Sequence, residues 1–154
     1  SGSVVAGTSA GASILSAHMM VPGSWPGLQT SDASPRKGET DLVSGFALLQ
    51  DIIIDQHFSQ RGRIGRLLEA FAGNPGLLGL GLDENTAAIV DDASTLTVLG
   101  CGAATILDGR NATSNYFECQ QGDIVSVFDS HIFVLGSGQR FDLAARRPLP
   151  PVEP

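Results

Sequence analysis

The chain has 154 residues, a formal net charge of −7, and 42% hydrophobic against 16% charged residues, which is length and composition for one globular domain with a sizeable core. The acidic balance argues against a general nucleic-acid binder, whose affinity rests on a basic surface. No apolar run approaches the roughly 20 residues needed to span a membrane.

Taken from the N-terminus, the first informative stretch is Gly7-Thr8-Ser9-Ala10-Gly11, a G-x-S-x-G pattern. The apolar run Val4-Val5-Ala6 leads in and a helix over residues 12–18 is expected to lead out. That is the layout of a nucleophile elbow, where a strand turns sharply into a helix and leaves one serine exposed. Ser9 is the candidate nucleophile, and the helix N-terminus behind it suits a developing oxyanion. A Gly-rich turn can equally cradle a phosphate or simply make a tight connection.

Residues 21–44, with Pro22, Pro26 and Pro35, read as one long loop. Residues 48–55 read as a buried strand that runs into Gln56-His57-Phe58-Ser59. Ser59 can cap a helix over 60–72, whose Ile64, Leu67, Leu68 and Phe71 recur at helical spacing, and Gly73-Asn74-Pro75 closes it. A second apolar run, 77–82, leads into Asp83-Glu84-Asn85-Thr86 and residues 87–90. Short strands follow over 96–99, 104–107, 124–128 and 132–135, separated by turn signals such as Asp108-Gly109. The Pro-rich tail, 148–154, is expected to be disordered. The expected fold class is α/β: a mostly parallel sheet flanked by helices, with a nucleophile elbow and additional short strands. An elbow strand in such a sheet normally has neighbours that precede it in the chain. Residues 1–147 therefore read as the C-terminal part of a larger domain whose N-terminal half is absent or on another chain.

A serine nucleophile needs a base, and the base needs a group to orient it. Among His18, His57 and His131, only His57 directly follows a buried strand, where an α/β sheet carries its functional residues. Glu84, Asp83 and Asp55 compete for the third position, and each can instead cap a turn. Arg61, Arg63 and Arg66 gather at one helix start, against its dipole, in an acidic chain. Such a cluster suggests carboxylate recognition, for which arginine offers a bidentate fork, with a solvated face as the alternative. Cys101 and Cys119 supply no metal-ligand spacing and read as ordinary thiols, and Asn111-Ala112-Thr113 matches a glycosylation acceptor.

The blocks Gly7-Thr8-Ser9-Ala10-Gly11, Asp55-Gln56-His57-Phe58-Ser59-Gln60-Arg61-Gly62-Arg63 and Gly81-Leu82-Asp83-Glu84-Asn85-Thr86 resemble, in order, the three signature segments of the cyanophycinases. These are serine peptidases related to the aspartyl dipeptidases. The resemblance implies a Ser-His-Glu triad on Ser9, His57 and Glu84, the amide of Ala10 as one oxyanion donor, and substrate binding by Asp55, Gln56, Ser59, Arg61, Arg63 and Arg66. It implies exopeptidase action on cyanophycin, a polyaspartate bearing arginine on each side chain, with release of β-Asp-Arg dipeptides. No metal and no cofactor are expected, and the expected partners are an Asp-containing substrate, the chain's own N-terminal half and a second copy in a homodimer. The expected compartment is the cytoplasm. The region 21–44 departs from the family pattern, which keeps an aspartyl or isoaspartyl dipeptidase open as an alternative, and the expected absence of the family's N-terminal half keeps open a non-catalytic binding subunit. Ser1, read as an N-terminus made by self-cleavage, is a fourth.

Overall fold

The computed structural model describes residues 2–23 and 33–150; Ser1, the middle of the 21–44 loop and the end of the Pro-rich tail lie outside the described residues. In chain order the elements are α1 (Ala10–Ser13), β1 (His18–Pro22), β2 (Thr40–Ser44), β3 (Ile52–Gln56), a 3-10 turn (Ser59–Arg61) and α2 (Ile64–Ala72). Nine strands follow: β4 (Leu78–Leu82), β5 (Thr86–Val90), β6 (Thr95–Gly100), β7 (Ala104–Asp108), β8 (Thr113–Ser114), β9 (Val127–Phe128), β10 (His131–Leu135), β11 (Arg140–Asp142) and β12 (Arg147–Leu149).

These elements correct the expected fold class. The central sheet, in the order β10-β7-β4-β3, has one parallel pair, β3 with β4; its other pairings are antiparallel. A second sheet, β12-β11-β6-β5, is antiparallel throughout, and two-stranded ribbons join β1 to β2 and β8 to β9. The molecule is thus a mixed, mostly antiparallel β structure with few helices, not a helix-flanked parallel sheet. The reason lies in the connections. A parallel neighbour needs a crossover of about a dozen residues or more, usually a helix. Between β3 and β4 the chain supplies one, α2. Beyond Leu82 no further helix is present among the described residues to make a second crossover; β7 returns to β4, and β10 to β7, by way of intervening strands, and both pair antiparallel.

The core has two halves, one on each face of the central sheet. Ile53 and Leu107 pack with Leu67, Ala70 and Phe71 of α2, together with Phe58 and Met20. Ile52, Ile54, Leu80 and Ile106 pack on the opposite side against Leu96, Val98 and Phe141 of the second sheet. The continuous run Ile52-Ile53-Ile54 is explained by burial on both faces. In β4 the alternation Leu78-Gly79-Leu80-Gly81-Leu82 sends the leucines to the second sheet. A Cβ on Gly81 would lie 2.4 Å from the Phe58 ring, so this glycine admits the aromatic residue that follows His57.

Local expectations differ from the structure at several places. The helix expected over 60–72 behind a Ser59 cap begins at Ile64 after Arg63, with Ser59 in a separate 3-10 turn. The strands expected over 48–55 and 124–128 cover Ile52–Gln56 and Val127–Phe128. The helix expected over 12–18 stops at Ser13, and the carbonyls of Ile14 and Leu15 accept instead from the N–H groups of Phe46 at 2.7 Å and Leu48 at 2.9 Å. His18 then opens β1, and the loop expected over 21–44 has a hairpin strand at each end. Glu69, buried in α2, anchors that hairpin by accepting the Gly38 and Thr40 N–H groups at 3.2 Å and the Thr40 hydroxyl. Burial pushes the Glu69 carboxyl upward, partly offset by those bonds. Pro148 and Leu149 of the expected disordered tail belong to β12, an edge strand, where a missing N–H is tolerated.

At the end of the sheet where β4 begins, Asp108 pairs in register with Leu78. Its carboxylate accepts from Arg110 at 3.0 Å and from Arg146, in the β11–β12 turn, at 3.1 Å. The pair of arginines therefore ties the two sheets together. Burial pushes the Asp108 carboxyl up, but the bonds and charge of Arg110 and the bond from Arg146 outweigh it and hold the group below its ordinary range. A depressed native pKa stabilises the fold above the ordinary aspartate range, and that contribution disappears as pH falls through the native value. Asp108→Asn is expected to cost about 1–3 kcal/mol at neutral pH by leaving buried donors poorly paired. In urea unfolding measured across pH, the gap between parent and variant narrows below about pH 4; a gap independent of pH would show that the charge is immaterial.

Candidate active site

Parallel pairing of β3 and β4, with Gln56 opposite Leu82, ends both strands at one level. The residues that follow therefore emerge side by side. His57 leaves β3 at φ 49° and Asn85, just after Glu84, has φ 53°, so each strand end turns sharply through the left-handed region. The His57 ring places Nδ1 2.8 Å from Glu84 Oε1 and Nε2 2.9 Å from Ser9 Oγ. A carboxylate can only accept, so in the neutral ring Nδ1 carries the proton and Nε2 is the acceptor for the serine hydroxyl. Gln56 Oε1 lies 3.4 Å from Ser9 Oγ; the single hydroxyl hydrogen goes to the nearer imidazole. The side chains of His57 and Glu84 are 26% and 48% exposed, and with Ser9 they border a cleft of about 780 Å³ reached also by Val5, Leu82 and Ile89.

Ser9 itself has φ 53° and ψ −126°, a conformation that costs a non-glycine residue about 1–3 kcal/mol. Two turn bonds hold it, Gly11 N–H to Thr8 O at 2.8 Å and Ala12 N–H to Ser9 O at 2.9 Å. Gly7 is required, since a Cβ there would sit 1.9 Å from the Gly11 carbonyl oxygen, whereas Gly11 itself borders open space. Ala10 opens α1, so its N–H has no carbonyl partner within the helix. The lead-in run is not a strand: Val4 and Val5 are 93% and 59% exposed.

The remaining predicted site residues divide between an inner and an outer set. Asp55 is fully buried. Arg66 reaches it through two nitrogens, Nε at 2.7 Å and Nη2 in a close contact, while Arg63 Nη1 lies 3.4 Å away and also donates to the Gln56 carbonyl. Burial, then the neighbouring Arg66 charge, lowers the Arg63 pKa, and Asp55 opposes this. These three side chains fasten the start of α2 to the end of β3. Ser59 and Arg61 are exposed, and Gln56 is half-buried.

Some contacts around the site carry no mark in the sequence. Of the three competing acids, Glu84 faces the imidazole, Asp55 faces the arginines, and Asp83 accepts the Ser59 N–H at 3.0 Å. Gln60 Oε1 accepts the Glu84 N–H at 3.1 Å. The alternation Leu-Gly-Leu-Gly-Leu was the one available signal that something bulky, here Phe58, must approach β4. Among the described residues, no group of three or more His, Cys, Asp or Glu side chains is placed to hold a metal ion, and no helix is long and apolar enough to cross a membrane.

The family model described as peptidase family S51 matches residues 1–98. Curated relatives include a cyanophycinase of Trichormus variabilis, 37% identical over 149 residues, which are 96% of this chain and 48% of that protein. Another, of Synechococcus elongatus, is 35% identical over 142 residues, 92% of this chain and 42% of the relative. A third, of Geminocystis herdmanii, is 33% identical over 144 residues, 93% and 51% respectively. The chain thus spans about half the length of the curated relatives it matches. With the match covering both strand ends and the strained serine turn, this chain belongs to peptidase family S51.

Proposed function

We propose that Ser9, His57 and Glu84 form the catalytic triad of a serine exopeptidase that hydrolyses cyanophycin to β-Asp-Arg dipeptides. The observation that carries this reading is the unbroken line Glu84 Oε1, His57, Ser9 Oγ, with bonds of 2.8 and 2.9 Å. Its support in kind is the name cyanophycinase borne by relatives that align with nearly the whole chain. In this mechanism His57 Nε2 takes the Ser9 proton as Oγ attacks the peptide carbonyl. The Ala10 N–H is one donor to the oxyanion. Glu84 holds the Nδ1–H tautomer and stabilises the imidazolium, which then protonates the leaving amine; water attacks the resulting acyl-enzyme by the reverse route.

For the substrate, the inner and outer sets take different parts. Arg61, exposed and without an ion pair among the described residues, meets a substrate carboxylate. Gln56 lines the cleft, and Ser59 lies on the same exposed 3-10 turn as Arg61. Asp55, Arg63 and Arg66 support it from beneath, since their charges are spent on one another. The stretch of the relatives that this chain does not span is assigned a second part of the pocket. In this reading it adds strands beside β3, an edge of its sheet among the described residues, and covers Val4 and Val5. A cytoplasmic homodimer completes the reading.

Ser9→Ala is expected to lower cyanophycin hydrolysis by at least about 10⁴-fold with an unchanged circular dichroism spectrum. A serine-directed phosphonate is expected to label the parent at Ser9 alone. Turnover retained in the variant would remove the nucleophile assignment; labelling without cyanophycin cleavage, but with cleavage of short Asp-X peptides, would favour the dipeptidase. Arg61→Ala is expected to raise KM about tenfold with little change in kcat, as loss of one charge-assisted contact would. Arg66→Ala, by contrast, strands a buried carboxylate and is expected to cost about 3–5 kcal/mol in denaturant unfolding. Equal KM effects without loss of stability would place Arg66 in contact with substrate instead.

A further inference from the structure

His57 and Glu84 sit on separate turns, neither with regular structure at that point. Glu84 is half exposed, and among the described residues its carboxylate bonds to His57 alone. Water competes for such a group, so the 2.8 Å contact requires that the two backbones be held at a fixed spacing. The polar contacts that could do this converge on the preceding residue. Asp83 Oδ1 accepts the Ser59 N–H at 3.0 Å, and Oδ2 accepts the Ala103 N–H at 3.1 Å. The Asp83 N–H in turn donates to the Ala103 carbonyl at 3.1 Å. One carboxylate therefore joins the turn that carries His57 to the start of β7, from the same short segment that carries Glu84.

Other contacts close the same knot. The Glu84 N–H donates to Gln60 Oε1, and Thr86 Oγ1 donates to the Glu84 carbonyl while accepting the Gly102 N–H, each at 3.1 Å. A Cβ on Gly102 would lie 2.6 Å from Thr86 Oγ1 and 2.8 Å from Asp83 Cβ, so the β6–β7 turn closes directly over the cluster. Burial pushes the Asp83 carboxyl up, but its bonds from Ser59 and Ala103 outweigh it and hold the group below its ordinary range, as a charged acceptor of two N–H groups should be.

We propose that Asp83, through its bonds to Ser59 and Ala103, is a positioning residue that sets the spacing of His57 from Glu84. It touches neither the imidazole nor Ser9; it acts by locking the two turns together. The proposal rests on the Ser9-His57-Glu84 reading, and its test separates the two. Ring ¹⁵N chemical shifts of the neutral histidines report which nitrogen carries the proton, and His18 and His131, both exposed, serve as internal references. In the full chain the Nδ1–H form of His57 is expected to dominate, and Glu84→Ala is expected to abolish that preference. Asp83→Ala is expected to reduce the Nδ1–H population by about half or more, with His18 and His131 unmoved. Asp83→Asn, which retains one acceptor oxygen for two N–H groups, falls between parent and alanine variant. A folded Asp83→Ala with the parent signature, beside a Glu84→Ala that has lost it, overturns the positioning role. An unchanged signature in Glu84→Ala overturns the triad reading and this proposal with it. Failure of both Asp83 variants to fold overturns it in favour of a purely structural carboxylate.

Discussion

Parallel register between β3 and β4 is the constraint on which the rest depends. Because Ile52 lies opposite Leu78 and Gln56 opposite Leu82, the turns that follow the two strands start level, and two side chains 27 positions apart in sequence meet at 2.8 Å. Antiparallel neighbours could not do this, since their ends point opposite ways. The cost is a crossover, and α2 supplies it with a buried face of Leu67, Ala70 and Phe71 on one side of the sheet. The crossover is fastened where it begins. Arg66 and Arg63 reach back from α2 to Asp55 and the Gln56 carbonyl, the last residues of the strand it has just left. The turn bearing His57 is thereby confined between a strand end and a helix start that are ionically joined.

Strain at Ser9 is the second element of the site, and it is supported differently. The conformation at φ 53° and ψ −126° aims Oγ at the imidazole, and a single helical turn with two backbone bonds opposes about 1–3 kcal/mol of backbone cost. Neither α1, at four residues, nor the exposed run before it buries much surface. The strained turn thus has fewer supports than the turns of His57 and Glu84 that it faces. Extended structure added beside β3 would cover the valines and bind the lead-in on both sides, which is why the proposed second part of the domain bears on the nucleophile more than on His57 or Glu84.

The three signature blocks were legible in the sequence because each joins a local pattern to a chemical requirement. A histidine after Ile52-Ile53-Ile54 and a glutamate after an apolar run announce strand ends, and a glycine-flanked serine announces a tight turn, although no strand leads into it here. Strands β4, β6, β7 and β10, though not β1, β2, β8, β11 or β12, also stood out within a residue, as did the buried face of α2 from Ile64, Leu67, Leu68 and Phe71. Strand direction did not. A run such as Ala104 to Leu107 is apolar whichever way it points; the sign available in the sequence was that no helix-forming stretch follows Leu82 to make a parallel crossover, and the parallel expectation overlooked it. The hairpin of β1 and β2 was hidden for another reason. Its strands are bonded to each other across a long connection and anchored by Glu69 from a distant helix, so neither strand shows local alternation, and Pro22 at the end of β1 reads as a loop.

The arginine cluster shows how burial redistributes a charge pattern that looks uniform in sequence. Arg61, Arg63 and Arg66 appear as one basic patch in a chain of net charge −7. In three dimensions a fully buried Asp55 draws two of them inward. An isolated carboxylate there would be costly, and a bidentate guanidinium with a second cation behind it is an arrangement that can sustain it. The field those two arginines present to the cleft is correspondingly reduced, because each faces a compensating charge at contact distance. Arg61 lies apart from that pairing, exposed on the 3-10 turn four residues after His57 and ahead of the left-handed Gly62 that starts the chain toward α2. The same basic run is thus divided by burial: its inner members fix the strand end that carries the imidazole, and its outer member stays at the surface.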